Sequence, residues 1–420
     1  MNPENIPAHS SRLELIQNLD RRLNINAGQA FKKALLLIEI NNFLTVDKQY
    51  GVATGIRFCS KVVTNLKSIL RNDDLFFVLQ ENRIAIFLDP IASEDIVLLA
   101  IDKLIRITDE GLCIDKTKIK ARLKIGAVIF PDTANTGTRL LQCAEKALEY
   151  TIDRGQTYSF FDPSFDQAFE KEYLLAEDLA ESIKRNELFL LYQPQLCLQT
   201  QSISGFEVLA RWHNHKHGFI SPEIFFPIAE KTDTTRVLSE WVVNTALRQS
   251  RELLEQHPDI SVSINVSSSL LDDYQFVEFI GRAIKLWSIP ASNLILEITE
   301  SVMMNNVDHT IGILNTLKDI GAKISIDDFG TGFSSLNYLN KLPIDELKID
   351  KSFLMGLSVG SENWNIVQLV ADLAHRFKLE VVGEGVESEA ILSNIKKLGV
   401  NRAQGYQIDL ISVIEKYKNH

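Results

Sequence analysis

The rhythm of apolar and polar positions changes near residue 165. Before that point, Lys33–Ile40 (KALLLIEI) is an apolar run of strand length, and Val52–Leu70 carries its apolar residues at helical spacing. Leu75–Leu79 and Arg83–Leu88 predict a hairpin across the polar turn Gln80-Glu81-Asn82. Ile91–Ile107 and Thr138–Ile152 predict helices, and Ile119–Phe130 predicts one long strand. Such a mixed order predicts an α+β sheet domain over residues 1–165. Residues 166–186 then predict a linking helix, with Leu174, Leu175, Leu179 and Ile183 on one face among many charges.

From residue 187 to 420 the pattern alternates strand with helix. Short β-rich segments recur at Phe189–Tyr192, Ile203–Leu209, Ser261–Val266, Leu294–Ile298, Lys323–Ile326, Glu346–Ile349, Leu379–Val382 and Arg402–Tyr406. Helical patterns separate most of them, as at Val237–Leu254, Val277–Trp287, Thr310–Ile320 and Ile366–Phe377. Eight β-segments with helices between them predict an α/β fold, a TIM-like (β/α)8 barrel.

Near the C-terminal end of every one of these segments sits a polar residue: Gln193, Glu207, Asn265, Glu297, Asp327, Lys348, Glu384 and Gln404. In a barrel those ends converge on the face that carries active sites. Glu207, Asn265, Glu297, Asp327, Asp328 and Glu384 are hard oxygen ligands. Gathered together, the carboxylates among them would repel one another unless a cation neutralised them, and oxygen-only donors select Mg²⁺ or Mn²⁺. Adjacent Asp327 and Asp328 could serve two ions, an arrangement suited to phosphodiester hydrolysis. Lys348 adds a cation that could orient or deprotonate water, or stabilise charge on phosphate. The run Asp328–Ser335, with Gly330 and Gly332, predicts a loop able to approach a ligand closely or to move.

Composition narrows the function classes. The 420 residues are 45% hydrophobic and 24% charged, with a net charge of −11. That balance describes a globular protein without a general electrostatic footprint for nucleic-acid polymers. An anionic substrate would have to be drawn by local cations. No apolar run reaches the length of a membrane span, and Met1–Ser10 lacks the pattern of a signal peptide. Cys59, Cys113, Cys143 and Cys197 are scattered, as expected of reduced thiols in a cytoplasmic protein.

Glu207-Val208-Leu209-Ala210-Arg211-Trp212 resembles the signature of EAL-domain cyclic di-GMP phosphodiesterases. The resemblance continues through Tyr192-Gln193-Pro194, Ser263–Ser267, Leu296–Ser301, Ile326–Leu336, Leu347–Asp350, Gly383–Glu387 and Gln404-Gly405-Tyr406, in matching order and spacing. It implies that Glu207, Asn265, Glu297 and Asp327 hold a metal ion, with Asp328 reaching a second. It gives Lys348 and Glu384 the completion of the metal-and-water site, and Glu300 the bracing of the Asp328–Ser335 loop. Glu387, Gln404 and Tyr406 would line the site, and Gln193 and Arg211 would hold the dinucleotide. The implied reaction opens cyclic di-GMP to linear pGpG by attack of metal-activated water. The family barrel often has one antiparallel strand, and a homodimer through the barrel is usual.

Two departures stand out. Phe333 replaces a common Tyr, and Gln407-Ile408-Asp409-Leu410-Ile411 replaces the Arg-Pro segment expected after Tyr406. The second change bears on the wall of the base pocket and leaves an alternative reading, a barrel that binds cyclic di-GMP as an effector without cutting it.

Residues 10–162 resemble the GGDEF diguanylate cyclase fold, through Glu39–Phe43, Arg71–Leu88, Lys124-Ile125-Gly126 and Phe160-Phe161-Asp162. The signature turn reads Gln80-Glu81-Asn82-Arg83-Ile84, without its glycines or its carboxylate pattern, so cyclase activity is not expected. Arg71 and Asp74 keep the spacing of the family's product-binding motif, but a structural salt bridge is the favoured reading. This domain is expected to be regulatory, acting on the barrel or receiving a protein partner. With no sensor sequence ahead of residue 10, the input is expected from such a partner or from the domain itself.

Other residues are given simpler roles. His213, His215 and His217 alternate, yet a solvated loop before Gly218 is expected rather than a metal site. Trp241, Trp287 and Trp364 are expected to pack, and Met303 and Met304 to seat the following helix.

Overall fold

Packing divides the chain into two compact units, residues 1–171 and 172–420, with the boundary inside the helix Ser164–Lys184. The structure is a computed structural model that describes residues 10–25, 32–114, 117–300, 307–330, 339 and 341–417. Ser301, Met303, Met304, Phe333, Ser334 and Ser335 lie outside the described residues.

The first unit is built on strands β1 (Lys32–Ile40), β2 (Leu75–Gln80), β3 (Arg83–Ile91), β6 (Leu123–Phe130) and β7 (Tyr158–Phe160), in the spatial order β2-β3-β1-β6-β7. A two-stranded ribbon joins β4 (Leu112–Ile114) to β5 (Thr117–Ile119). Alternation along β1 feeds two cores. Ala34, Leu36 and Ile38 face the helices Val52–Ser68 and Glu94–Asp109, whereas Leu35 and Leu37 face Arg12–Ile25 and Gly137–Asp153. The long strand expected over Ile119–Phe130 is two strands. Asn42 Oδ1 takes the backbone N–H of Arg122, and the chain turns there so that β5 pairs with β4. The helix expected from Ile91 starts at Glu94, because Ile91 still pairs with Lys32 in the sheet. The helices Arg12–Ile25 and Phe43–Tyr50 were not foreseen from the pattern.

The second unit is a closed barrel. Its strands are β8 (Leu188–Cys197), β9 (Ile203–Asn214), β11 (Ser261–Asn265), β12 (Leu294–Thr299), β13 (Lys323–Phe329), β14 (Glu346–Ile349), β15 (Glu380–Gly383) and β16 (Arg402–Gln404). The short β10 (Gly218–Ile220) extends β9 as a hairpin. Neighbours from β9 to β16 run parallel, but β8 is antiparallel to both β9 and β16 and closes the ring between them. Gln193 therefore does not sit at a C-terminal strand end on the common face. It enters from the middle of a reversed strand, opposite Glu207. Glu207 is also mid-strand, because β9 continues into the hairpin.

Outward positions such as Leu294, Leu296 and Ile298 on β12 or Ile324 and Ile326 on β13 pack against the helical layer. The helices foreseen after the second, third, fourth and sixth barrel strands are present, and Pro222–Lys231 and Glu389–Lys397 join them. Pro222 at the first turn and Ser388 capping Ile391 N–H begin these two helices.

Candidate active site

Inward positions follow every second residue, so β9 offers Glu207, β12 Glu297, β13 Asp327 and β14 Lys348 to one interior. Lys348 is the hub. Its Nζ lies 2.6 Å from Glu384 Oε1, 2.8 Å from Glu297 Oε2, 3.3 Å from Glu207 Oε2 and 3.4 Å from Asp327 Oδ1. Lys348 and Glu297 have no solvent exposure. The lysine, expected beside water or phosphate, is thus also the internal counter-ion of the acidic ring.

Amide groups order the ring further. Asn265 Nδ2 donates to Glu207 Oε1 at 2.8 Å, so only its Oδ1 remains as a cation ligand. Gln404 Nε2 donates to Glu207 Oε2 and, at 2.9 Å, to Gln193 Oε1. Gln404 Oε1 in turn accepts from Gln195 Nε2 at 3.0 Å, which fixes the orientation of the amide. Gln195 was not singled out from the sequence. Its position two residues along β8 from Gln193 is the signal that marks it. After Gln404 the chain needs a glycine, because a Cβ on Gly405 would stand 2.3 Å from Val386 N.

Charge in this space is expensive. Burial drives the Glu297 carboxyl well above its usual range, with Glu207 and Asp327 adding repulsion that Lys348 only partly offsets. Burial likewise raises Glu384 to about 8 against the opposing pull of Lys348. Burial also acts on Glu207, but there Lys348 and the Gln404 and Asn265 amides prevail and the pKa is lowered. Burial alone would lower Lys348, yet Glu207, Glu297, Glu384 and Asp327 outweigh it and hold the ammonium charged.

Asp327, Asp328 and Glu384 present oxygens within 4.8 Å of one another. Asp328 adopts φ 54°, a left-handed conformation that Asp tolerates better than most residues, and its N–H donates to Asp327 Oδ1 at 2.9 Å. Burial, then Asp327 and Asp350, raise the Asp328 carboxyl. Buried Glu300 accepts the Gly330 N–H at 2.9 Å, so it holds the backbone just past Asp327 and Asp328. Arg211 lies two residues beyond Leu209 on the inward side of β9, where burial lowers its pKa against the pull of Glu207 and Tyr406. Glu387 and Tyr406 are exposed, each on the segment that follows its strand.

This donor set fits a hard divalent cation. One lysine faces Glu207, Glu297, Asp327 and Glu384, every remaining donor is oxygen, and Glu297 Oε1 is buried without a hydrogen bond among the described residues. Of the histidines expected in a solvated loop, His213 lies instead on β9 and packs on Phe219 at 4.7 Å, and His215 Nδ1 meets Glu187 at 2.7 Å in a group with Asp178 whose ligand atoms lie within 4.8 Å of one another.

A family model of the EAL domain matches residues 176–409, and one of the diguanylate cyclase GGDEF domain matches residues 10–157. The chain belongs to the EAL family, in tandem with a GGDEF domain. It is 33% identical over 394 residues to the bifunctional diguanylate cyclase/cyclic di-GMP phosphodiesterase MucR of Pseudomonas aeruginosa, covering 92% of this chain and 57% of MucR. It spans about half the length of the curated relatives it matches. The solved MucR phosphodiesterase in complex with c-di-GMP aligns with a TM-score of 0.56 at 38% identity, over 58% of this chain and 99% of that one. The S helix-GGDEF-EAL structure of Vibrio cholerae LapD shares the fold over 96% of this chain and 94% of its own, at TM-score 0.68 and 17% identity.

In the GGDEF unit, Arg83 Nε donates to Glu39 Oε2 at 2.7 Å across β1 and β3. Asn42 is occupied by the Lys120 carbonyl and the Arg122 N–H. Arg71 and Asp74 are paired with one another at 2.8 Å. Among the described residues no helix is long and apolar enough to cross a membrane.

Proposed function

We propose that the EAL barrel hydrolyses cyclic di-GMP to linear pGpG with Mg²⁺ or Mn²⁺, and that the GGDEF unit is catalytically degenerate and regulatory. The observation that carries this reading is the convergence of Glu207, Glu297, Asp327 and Glu384 on Lys348, with Asn265 bonded to Glu207. Relatives of known activity support the substrate, since MucR and NbdA of Pseudomonas aeruginosa are described as cyclic di-GMP phosphodiesterases.

Glu207, Asn265, Glu297 and Asp327 would hold the first ion, with Asp328 toward a second. One or two divalent cations bound there would supply Lewis-acid stabilisation of charge on the phosphate and an acidified water. The chain's own groups do the rest. Lys348 keeps its proton and offers a fixed positive charge beside the reacting phosphate. Glu384, next to it, can take a proton at neutral pH. Gln404 and Asn265 hold Glu207 in one orientation, and Gln193 continues that amide chain toward the dinucleotide. Arg211 presents a cation at the rim beside Tyr406, and Glu387 lines the same rim. Glu300 fixes Gly330 and with it the backbone that carries Asp327 and Asp328.

Degeneracy of the GGDEF unit is supported by the Glu39–Arg83 pair, which ties up a carboxylate where cyclases need free ones. A cytoplasmic location fits the four free cysteines, and a homodimer or a protein partner at the GGDEF unit would supply control. Incubation of the purified chain with cyclic di-GMP and Mg²⁺ or Mn²⁺ tests the reading: pGpG should accumulate, and its absence with intact substrate would reject it.

A further inference from the structure

TIM-type barrels usually fill their interior with layers of Val, Ile and Leu. This one does so only in part. Below the acidic ring, Ile295 on β12 and Val382 on β15 share the interior with Gly205 on β9 and with Gln195 on β8, Ser263 on β11 and Ser325 on β13, three polar side chains with almost no exposure. One layer lower come Glu346 on β14 and Arg402 on β16, both buried.

These polar groups are poorly matched to one another. Ser263 Oγ, Ser325 Oγ, Gln195 Oε1 and both Glu346 oxygens are buried without a well-formed hydrogen bond among the described residues. Arg402 Nη1 stands 3.3 Å from Glu346 Oε2 but aims its N–H at Ser261 Oγ, also at 3.3 Å. Buried polar atoms in native proteins nearly always have a partner, and where protein supplies none, ordered water does. Room exists for it. A cavity of about 210 Å³ opens at the end of the barrel opposite the acidic ring, lined among others by Lys323, Glu346, Glu380 and Arg402. A Cβ at Gly205 would lie 2.7 Å from Ser261 Oγ and 2.9 Å from Gln195 Oε1, so only glycine leaves space for these two polar side chains beside it.

Strand register joins this cavity to the reaction site in short steps. Glu346 lines the cavity and pairs with Ser325, and Ser325 pairs with Glu297. Ser263 pairs with Glu207 on one side and with Ile295, a lining residue of the cavity, on the other.

We infer that the barrel axis is a water-binding column, running from the rear cavity past Glu346, Ser325 and Ser263 to Glu297 and Lys348. The inference stands on unmatched polar atoms and a cavity, and does not depend on which substrate the front face takes.

A crystal structure of the full chain at a resolution that shows ordered water tests it directly. The expected result is water peaks within hydrogen-bond reach of Ser263 Oγ, Ser325 Oγ and Glu346. A dry axis would overturn the inference. Denaturation of Ser263→Ala and Ser325→Ala gives an independent readout. In a dry interior each variant removes an orphaned hydroxyl and raises the urea midpoint. In a hydrated one each removes a partner from a bound water and lowers it. Midpoints raised or unmoved in both variants would also count against the column.

Discussion

Lys348 Nζ and Glu384 Oε1 stand 2.6 Å apart in a place where the lysine has no contact with solvent. Its single charge also faces Glu207, Glu297 and Asp327, so it balances only part of the acidic ring. Replacing Lys348 with Met should cut turnover by about 10²–10³-fold, the usual cost of one fixed charge at a developing phosphate charge. The same variant should melt at a lower temperature than wild type in EDTA, and Mg²⁺ should restore more stability to it than to wild type. Calorimetry with and without metal, beside the hydrolysis assay, checks both parts. Unchanged melting in EDTA would mean that the ring does not rely on Lys348.

Gln404 holds Glu207 and is itself held by Gln195. Substitution of an outer partner of a metal ligand typically costs about 10–100-fold in metal affinity. Gln404→Ala should therefore raise the Mg²⁺ concentration needed for half-maximal activity by that order, whereas Gln195→Ala should raise it less. Metal titration of activity for the two variants measures the ordering.

Glu300 accepts the Gly330 N–H just past β13. Glu300→Ala should leave secondary structure unchanged by circular dichroism and reduce kcat/KM by at least about tenfold, through poorer placement of Asp328. Wild-type kinetics in this variant would remove Glu300 from the account.

Acid sensitivity should arise at Glu187. The Arg185 guanidinium, helped by Ser182, His215 and Trp212, holds its carboxyl at about 2, below the ordinary value of 4.5. A depressed carboxyl stabilises the fold above its unfolded pKa, and the gain is lost as pH falls from 4.5 toward about 2. Arg185 is partly exposed, so screening keeps the gain below about 1 kcal/mol. Glu187→Gln should lower the urea midpoint at pH 7 and converge on wild type as pH drops through that window. A constant difference across pH would refute the assignment.

Much of this was legible in the sequence because the barrel writes chemistry and packing on alternate residues. Leu296 and Ile298 announce the helical layer, and Glu297 between them announces the interior. What could not be read was geometry set by distant partners. The reversed course of β8 is decided by its pairing with β9 and β16, so Gln193 looked like another strand-end residue. The break at Lys120–Arg122 depends on Asn42, far away in sequence. The helix Phe43–Tyr50 is short and half exposed, which leaves only Phe43 and Val46 as core positions and too weak a period to detect. Gln195, Glu346 and Arg402 carry the polar pattern deeper into the barrel, where a packed apolar core is the ordinary expectation.

The GGDEF unit offers a separate test. With Glu39 engaged by Arg83, and with Gln80-Glu81-Asn82 at the hairpin turn, GTP supplied with Mg²⁺ should yield no cyclic di-GMP. Formation of the cyclic product by a chain carrying Glu207→Ala, in which breakdown is disabled, would contradict degeneracy.

The acidic ring as a site for divalent ions that cleave a phosphodiester is tested most directly by following cyclic di-GMP hydrolysis in one metal-stripped preparation, before and after Mg²⁺ or Mn²⁺ is returned, beside Glu207→Ala treated identically. The account requires pGpG only in the wild-type chain and only with metal present. Hydrolysis that persists in EDTA, or that survives undiminished in Glu207→Ala, would contradict it.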